Sequence, residues 1–202
     1  MTDVLRPNHH GDYPAFSGLS GYVAALSFSL GRDETAAFAA ELADLHEGDF
    51  VVDVGCGPGN AARFAARRGA TVVGVDPAAV MLRVARQLSR GTRQVAFQLG
   101  AAEDLPIDNG AASVVWSLAA VHHWPDLDAG LEEVRRVLRP GGRFVAIEAK
   151  TAPGATGHAS HGWTDMQADA FVAVCEAHGF SAVRREARTC DGRPRVAIAA
   201  VR

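Results

Sequence analysis

The stretch Val51-Val52-Asp53-Val54-Gly55-Cys56-Gly57-Pro58-Gly59-Asn60 decides how the rest of the chain is read. A short β-branched run, 50–54, carries an acid in its last turn and gives way to three alternating glycines. Glycine permits positive φ there and lets a ligand approach the backbone, while the helix expected over 60–68, stopped by Gly69, presents free N–H groups at its start. The expectation is a strand, a ligand-holding turn and a helix. A dinucleotide fingerprint, Gly-x-Gly-x-x-Gly, would need glycine at position 60, where the chain has Asn60. A carboxylate at Asp53 would also lie beside a pyrophosphate with nothing to compensate it, whereas it suits a ligand carrying an ammonium group.

Working outward, the same alternation repeats. Before the glycine turn, Ala36, Ala37, Ala40, Ala43 and Leu45 fall at helical spacing and predict a helix over 33–46, with Asp33 as its N-cap and Gly48 beyond its end. After it come a strand at 71–75, a helix at 77–88 with Pro77 in its first turn, and a strand at 95–99. The nearly all-apolar 113–117 reads as a buried strand, 127–138 as a helix closed by Pro140-Gly141-Gly142, and 143–148 as the next strand. Thr164 caps a helix running to His178, Gly179 ends it, and the runs 181–189 and 195–201, joined by Asp191-Gly192, predict an antiparallel hairpin at one sheet edge. Alternating strands and helices with short connections mean an α/β, doubly wound parallel sheet, with the ligand beyond the C-terminal ends of its strands.

Composition agrees. With 202 residues, 48% hydrophobic and 21% charged, the chain is long enough for one domain with a proper core. A formal charge of −3 argues against a simple polycationic nucleic-acid binder, and no window reaches the roughly 18 continuous apolar residues of a membrane span. The N-terminal residues lack the apolar stretch of a secretory signal, so a cytoplasmic protein is expected. Cys56, Cys175 and Cys190 are too few and too scattered for a disulfide framework or a zinc site. Two segments stand outside the alternation: 1–32, with His9, His10, Tyr13 and Phe16, and the Gly/His/Ser-rich 151–163. Both are candidates to cover the site, the first as a lid and the second as a substrate-covering loop over a domain of 33–202.

Two further loops carry polar groups. Asp76 ends the second strand about 20 residues past the glycines, where an acid can accept hydrogen bonds from both hydroxyls of a ribose. Gly100-Ala101-Ala102-Glu103-Asp104-Leu105-Pro106 follows the third strand and offers a backbone N–H and a carboxylate to the edge of an adenine.

Taken together, Asp53-x-Gly55-x-Gly57-x-Gly59, Val75-Asp76, Ala102-Glu103-x-Leu105-Pro106, Val121-His122-His123-Trp124 and Leu138-Arg139-Pro140-Gly141-Gly142 resemble, in this order, a class I S-adenosylmethionine-dependent methyltransferase of the small-molecule type. The resemblance implies a Rossmann-like, three-layer αβα fold with seven strands in the order 3-2-1-4-5-7-6, strand 7 antiparallel. It implies that Asp53 and the backbone of Gly55, Cys56, Gly57 and Gly59 hold the methionine part of the cofactor. Asp76 would take the ribose, with Pro77 and Met81 beside it, Ala102 N–H and Glu103 the adenine, and Ser117 and Leu118 would line the sulfonium. Many relatives have Asp at the position of Ala101, and Glu103 is the acid expected to replace it. Cys56 is expected to pack rather than react.

Methyl transfer is an in-line displacement, so most of its rate comes from contact and exclusion of water, with a general base needed only where the acceptor holds its proton. His122 and His123, after the fourth strand, are the catalytic candidates because imidazole titrates near neutrality. They equally suit a packed helix start. His158, His161 and Trp163, in the aperiodic loop, and Glu148, at the end of the fifth strand, are candidates for acceptor contact, Glu148 equally suiting a solvated strand end. No metal is expected, since two histidines without a neighbouring carboxylate are poor ligands. The arginines of the C-terminal hairpin read as edge protection rather than a nucleic-acid surface. The expectation is therefore transfer of a methyl group to a small molecule by a monomer or homodimer, releasing S-adenosylhomocysteine. Two alternatives are a noncatalytic protein that binds the cofactor or its product as a regulatory or partner subunit, and a nicotinamide-dependent oxidoreductase.

Overall fold

The computed structural model describes Leu5 and residues 33–202, apart from the side chain of His158. The lid expected over 1–32, with His9, His10, Tyr13 and Phe16, otherwise lies outside the described residues. Strands form at β1 (Phe50–Val54), β2 (Thr71–Asp76), β3 (Val95–Leu99), β4 (Ala112–Leu118), β5 (Leu138–Ala149), β6 (Ser181–Cys190) and β7 (Arg193–Val201). Helices are α1 (Asp33–Leu42), α2 (Asn60–Ala66), α3 (Ala79–Leu88), α4 (Leu127–Val137) and α5 (Asp165–Ala177). The sheet runs β3-β2-β1-β4-β5-β7-β6, parallel except at β7, which pairs antiparallel with both β5 and β6. This is the expected order and hand.

Alternation along the strands sends side chains into two cores, one on each face of the sheet. Val51, Val72, Val114, Trp116 and Ile147 meet Phe38 of α1, Phe64 of α2 and Leu82 of α3. Val52, Val115, Phe144 and Ile198 meet Leu131 of α4 and Phe171 of α5. Three layers result, as the chain's apolar pattern requires. No helix among the described residues is long and apolar enough to cross a membrane.

Several boundaries differ from the sequence expectation, and four of the differences have a cause visible in the structure. Helix α1 stops short of His46 because Asp44 turns left-handed at φ 47°, and the Leu45 N–H to Ala40 C=O bond of 2.9 Å closes the end. Asp33 lies in the first turn of α1 rather than capping it; the cap comes from the far hairpin. There Asp191 accepts from Thr35 N–H at 3.2 Å and Thr35 Oγ1 at 2.7 Å, while its own N–H donates to Glu34 at 2.5 Å. Helix α3 begins at Ala79 rather than Pro77, because Asp76 Oδ1 accepts from Ala78 N–H at 2.8 Å and keeps Ala78 extended. Pro140-Gly141-Gly142 does not merely stop α4. It bulges out of β5, whose pairing with β4 jumps from Ala112↔Leu138 to Val114↔Arg143.

The Asp191-Gly192 turn is as expected, with both residues at positive φ, 52° and 69°, which matches the twist of a two-residue hairpin. Thr164 caps α5 through a full capping box with Gln167. Asp191→Ala should lower unfolding stability by about 1–2 kcal/mol, the loss expected for an N-cap. Urea unfolding checks this; an unchanged midpoint would mean that α1 needs no distant cap.

Candidate active site

The two ends of the sheet treat buried acids differently. At the N-terminal ends of the strands, Asp49 accepts from His46 N–H at 2.8 Å, Ser113 Oγ at 2.7 Å and Arg143 at 2.6 Å. Burial alone would push its carboxyl up, but these donors outweigh burial and hold it below the ordinary range. At the C-terminal ends, Asp53 and Asp76 go the other way. Asp53 is 1% exposed, and burial together with the charge of Asp76 pushes it up to about 7. The Ala62 amide and the indole N–H of Trp116, which falls short of a full hydrogen bond, only partly offset this, and Oδ2 has no hydrogen-bond partner. Asp76 is likewise raised by burial, against the pull of the Ala78 and Gly57 amides. Displaced carboxyl groups gathered at one end of the sheet make that end the candidate site.

The turn between β1 and α2 is held from several sides. Asp76 Oδ2 accepts from Gly57 N–H at 2.8 Å, and Gly55 N–H donates to Val75 C=O at 2.8 Å. Gly55, Gly57 and Gly59 sit at φ 72°, 52° and 78°, the left-handed region that disfavours any side chain. A Cβ on Gly55 would collide with that of Ala120, and one on Gly59 would lie 2.6 Å from the Phe97 ring. Arg63, which the sequence reading passed over, straps the turn by donating to Pro58 C=O and Asn60 Oδ1, both at 2.7 Å. An arginine one turn into the helix after a glycine loop was the available signal. Cys56 packs, as expected: its Sγ lies against Gly74, and burial pushes the thiol well up. Pro77 is exposed and Met81 is buried in a small cluster with Val84.

In the loop after β3, Ala102 is buried and Asp104 exposed. Glu103, the expected adenine acid, accepts from Asp126 N–H at 3.1 Å, just ahead of α4. Glu133 and Arg136 of α4 fix the rest of the loop, Glu133 by accepting from Leu105 N–H at 2.8 Å and Arg136 by donating to Ile107 C=O at 2.8 Å. Beyond β4, Ser117 is fully buried with its Oγ unpartnered, and Leu118 is half-buried.

The chain then makes a short helical turn, Val121–His123, against Ala120 and so against Gly55. His122 is 7% exposed; its Nδ1 lies 2.7 Å from Glu148 Oε2, and its backbone N–H donates to Oε1 at 3.3 Å. Glu148 was expected to meet the acceptor or solvent. It is fully buried and positions His122 instead. Trp163 also departs from expectation, being 3% exposed with its ring 4.5 Å from Phe171, so it anchors the loop into the core. The loop returns over β5 through Trp163 N–H to Ala149 C=O at 2.9 Å, where Gly162 leaves no space for a Cβ. That return brings His161 beside His122 and His123, with ring centroids 5.5 and 5.3 Å away. His158 lies in the turn Gly157–Ser160, its side chain outside the described residues.

A seven-stranded sheet with reversed β7, a glycine turn after β1 and an acid ending β2 define the class I methyltransferase fold. Residues 52–146 match the family model described as a methyltransferase domain. Together with the fold, that match gives residues 52–146 the character of a class I, S-adenosylmethionine-dependent methyltransferase domain. Methyltransferase GfsG of Streptomyces halstedii is 40% identical over 112 residues, covering 54% of this chain and 40% of the relative. The tocopherol O-methyltransferase of Arabidopsis thaliana is 32% identical over 149 residues, covering 69% of this chain and 42% of the relative. This chain therefore spans about two-fifths of the length of the curated relatives it matches. Among solved structures, a SAM-dependent methyltransferase from Aquifex aeolicus superposes with a TM-score of 0.72 at 16% identity, over 89% of this chain and 97% of the other.

Proposed function

We propose that the protein transfers the methyl group of S-adenosylmethionine to a small-molecule acceptor and releases S-adenosylhomocysteine. The observation that carries this reading is the glycine turn with two displaced carboxyl groups behind it, abutting a histidine cluster through the contact of Gly55 with Ala120.

In this reading the Gly55–Gly59 turn cradles the methionine portion and Asp53 supplies negative charge toward its ammonium group. Asp76, whose oxygens each keep a second lone pair beside their amide bonds, takes the ribose hydroxyls. The adenine lies along Ala102, with Glu103 free to exchange its bond to Asp126 N–H for one to the adenine amino group. Ser117 and Leu118 border the sulfonium. The methyl then points toward the turn Val121–His123, where the acceptor approaches. Contact and exclusion of water supply most of the acceleration, because a sulfonium needs no activation to leave. For an acceptor that arrives protonated, Glu148 holds the His122 Nδ1–H, and the lone pair on Nε2 takes the proton.

Isothermal titration of the protein with S-adenosylmethionine, S-adenosylhomocysteine and NAD tests the cofactor. Binding of the first two and not of NAD is expected; preference for NAD would defeat the reading. Binding of both without turnover on a broad acceptor panel would instead favour a regulatory subunit. Asp76→Ala should weaken the first two by about 10- to 100-fold, the range for losing charge-assisted hydrogen bonds of roughly 1.5–3 kcal/mol. Wild-type affinity in that variant would remove Asp76 from the site.

A further inference from the structure

We propose that His122, His123 and His161 form a binding site for one divalent transition-metal ion of the zinc type, beside the place where the methyl acceptor approaches. One potential ligand nitrogen from each ring can be chosen so that all three lie within 4.8 Å of one another. Rings of His122 and His123 have centroids 3.9 Å apart, and His161 closes the triangle from the loop after β5. Tetrahedral zinc with Zn–N bonds of about 2.0–2.1 Å needs nitrogens roughly 3.3 Å apart, a separation that modest imidazole rotations reach from here.

A second, independent observation points to a ligand. An ionised Glu148 can only accept, so His122 donates from Nδ1, and in the neutral imidazole Nε2 then carries the lone pair. That Nε2 is buried and has no hydrogen-bond partner. A buried carboxylate behind one imidazole, orienting the ring and leaving its other nitrogen unpartnered in a cluster with two more imidazoles, is how metal-ligating histidines are supported. Glu148 also supplies negative charge close to the cation while staying out of its coordination sphere.

The donor set selects the ion. Three neutral imidazoles suit zinc, cobalt, nickel or copper, whereas magnesium and calcium require oxygen donors. Three protein ligands leave a fourth position open, and in a tetrahedral site that position takes water or an oxygen, nitrogen or sulfur atom of a small molecule. The sequence hid the site because the pair at 122–123 and His161 are on different loops, brought together only by the return of residues 151–163 over β5. Its catalytic consequence, although not the binding itself, rests on the proposed methyl transfer. An ion in place occupies His122 Nε2, so the acceptor is then activated by the cation and not by proton transfer to that nitrogen.

The test uses the full chain without a histidine tag, stripped with chelator and titrated with zinc chloride by calorimetry and with cobalt chloride by visible absorption. One ion per chain is expected, with cobalt giving the intense d–d bands of a four-coordinate site and magnesium giving no signal. Each of His122→Ala, His123→Ala and His161→Ala should weaken zinc at least about 100-fold, and Glu148→Gln about 10- to 100-fold. Absence of stoichiometric zinc binding overturns the proposal, and so does undiminished binding in His161→Ala, whose loop position leaves the core intact. S-Adenosylmethionine titrated into the same samples separates the two readings. Zinc bound without cofactor leaves the metal site standing and defeats the methyl-transfer proposal, and cofactor bound without zinc does the reverse.

Discussion

Replacing Asp53 by asparagine is expected to weaken S-adenosylmethionine by about 30- to 5,000-fold, the span of removing one partner from a buried charge pair at roughly 2–5 kcal/mol. The same substitution should make the cofactor-free protein more stable above neutrality. Asp53 is buried with a carboxyl raised from 3.8 to about 7, so the folded chain holds a proton that the unfolded chain has already released. The folded state binds more protons at Asp53 between those values, so the contribution of this group to stability is fully present below about pH 4 and falls as pH rises, by up to about 1.4 kcal/mol per unit until about pH 7. Asparagine keeps the shape and removes the titration, flattening that slope. Binding has the opposite pH dependence, because the ammonium group of the cofactor needs the ionised carboxylate; affinity should rise toward pH 7 and level off above it. Calorimetry and urea unfolding across pH 5.5–8.5 check both. Asparagine with wild-type affinity, or a pH-independent affinity in the parent, would take Asp53 out of cofactor binding.

The second large effect is expected at His122. His122→Ala should lower turnover by about 100- to 10,000-fold with an acceptor that arrives protonated, the range attributed to a positioned acid or base. S-Adenosylmethionine affinity should stay within about twofold, because the proposed reading puts His122 on the acceptor side and gives it no contact with the cofactor. That split holds whether the imidazole acts on a proton or on a cation. Glu148→Gln should reproduce part of the loss, because an amide can present either its oxygen or its NH2 group to Nδ1 and no longer enforces the productive tautomer. Equal losses of cofactor affinity and turnover would show that the Val121–His123 turn is structural. Undiminished turnover in both variants would leave proximity alone as the source of rate.

Legibility in the sequence followed the range of the interactions. The alternation of strands and helices, the glycine turn, Asp76 at the end of β2 and the Asp191-Gly192 hairpin were readable because β-branched runs, left-handed glycines and short connections act over a few residues, whereas the order of the strands came only from the family resemblance. The end of α1 was misplaced because Asp44 already takes the left-handed conformation four residues before the obvious Gly48 does. Its cap was misassigned because the carboxylate that supplies it belongs to residue 191. At the site, His122 and His123 were visible as polar residues after a buried strand. Glu148 was read as a surface or pocket residue because nothing local reveals that β5 is covered on that face by α5 and the returning loop. Trp163 had the same fate, since an aromatic in an aperiodic segment reads alike whether it anchors or recognises.

The bond between Asp191 and the start of α1 also constrains the order of folding. The first described helix cannot receive its cap until the ribosome has delivered the last hairpin, and β7 must enter the sheet between β5 and β6 before that hairpin is in place. Contacts that join residues more than 150 positions apart carry a high loop-closure cost and slow the final step. An emerging chain can therefore assemble β1 to β4 with the glycine turn first, leaving the edge of β5 unpaired until β7 arrives. That edge is the surface most exposed to mispairing during synthesis, and a slow refolding phase that is lost when residues 181–202 are supplied as a separate peptide would identify it.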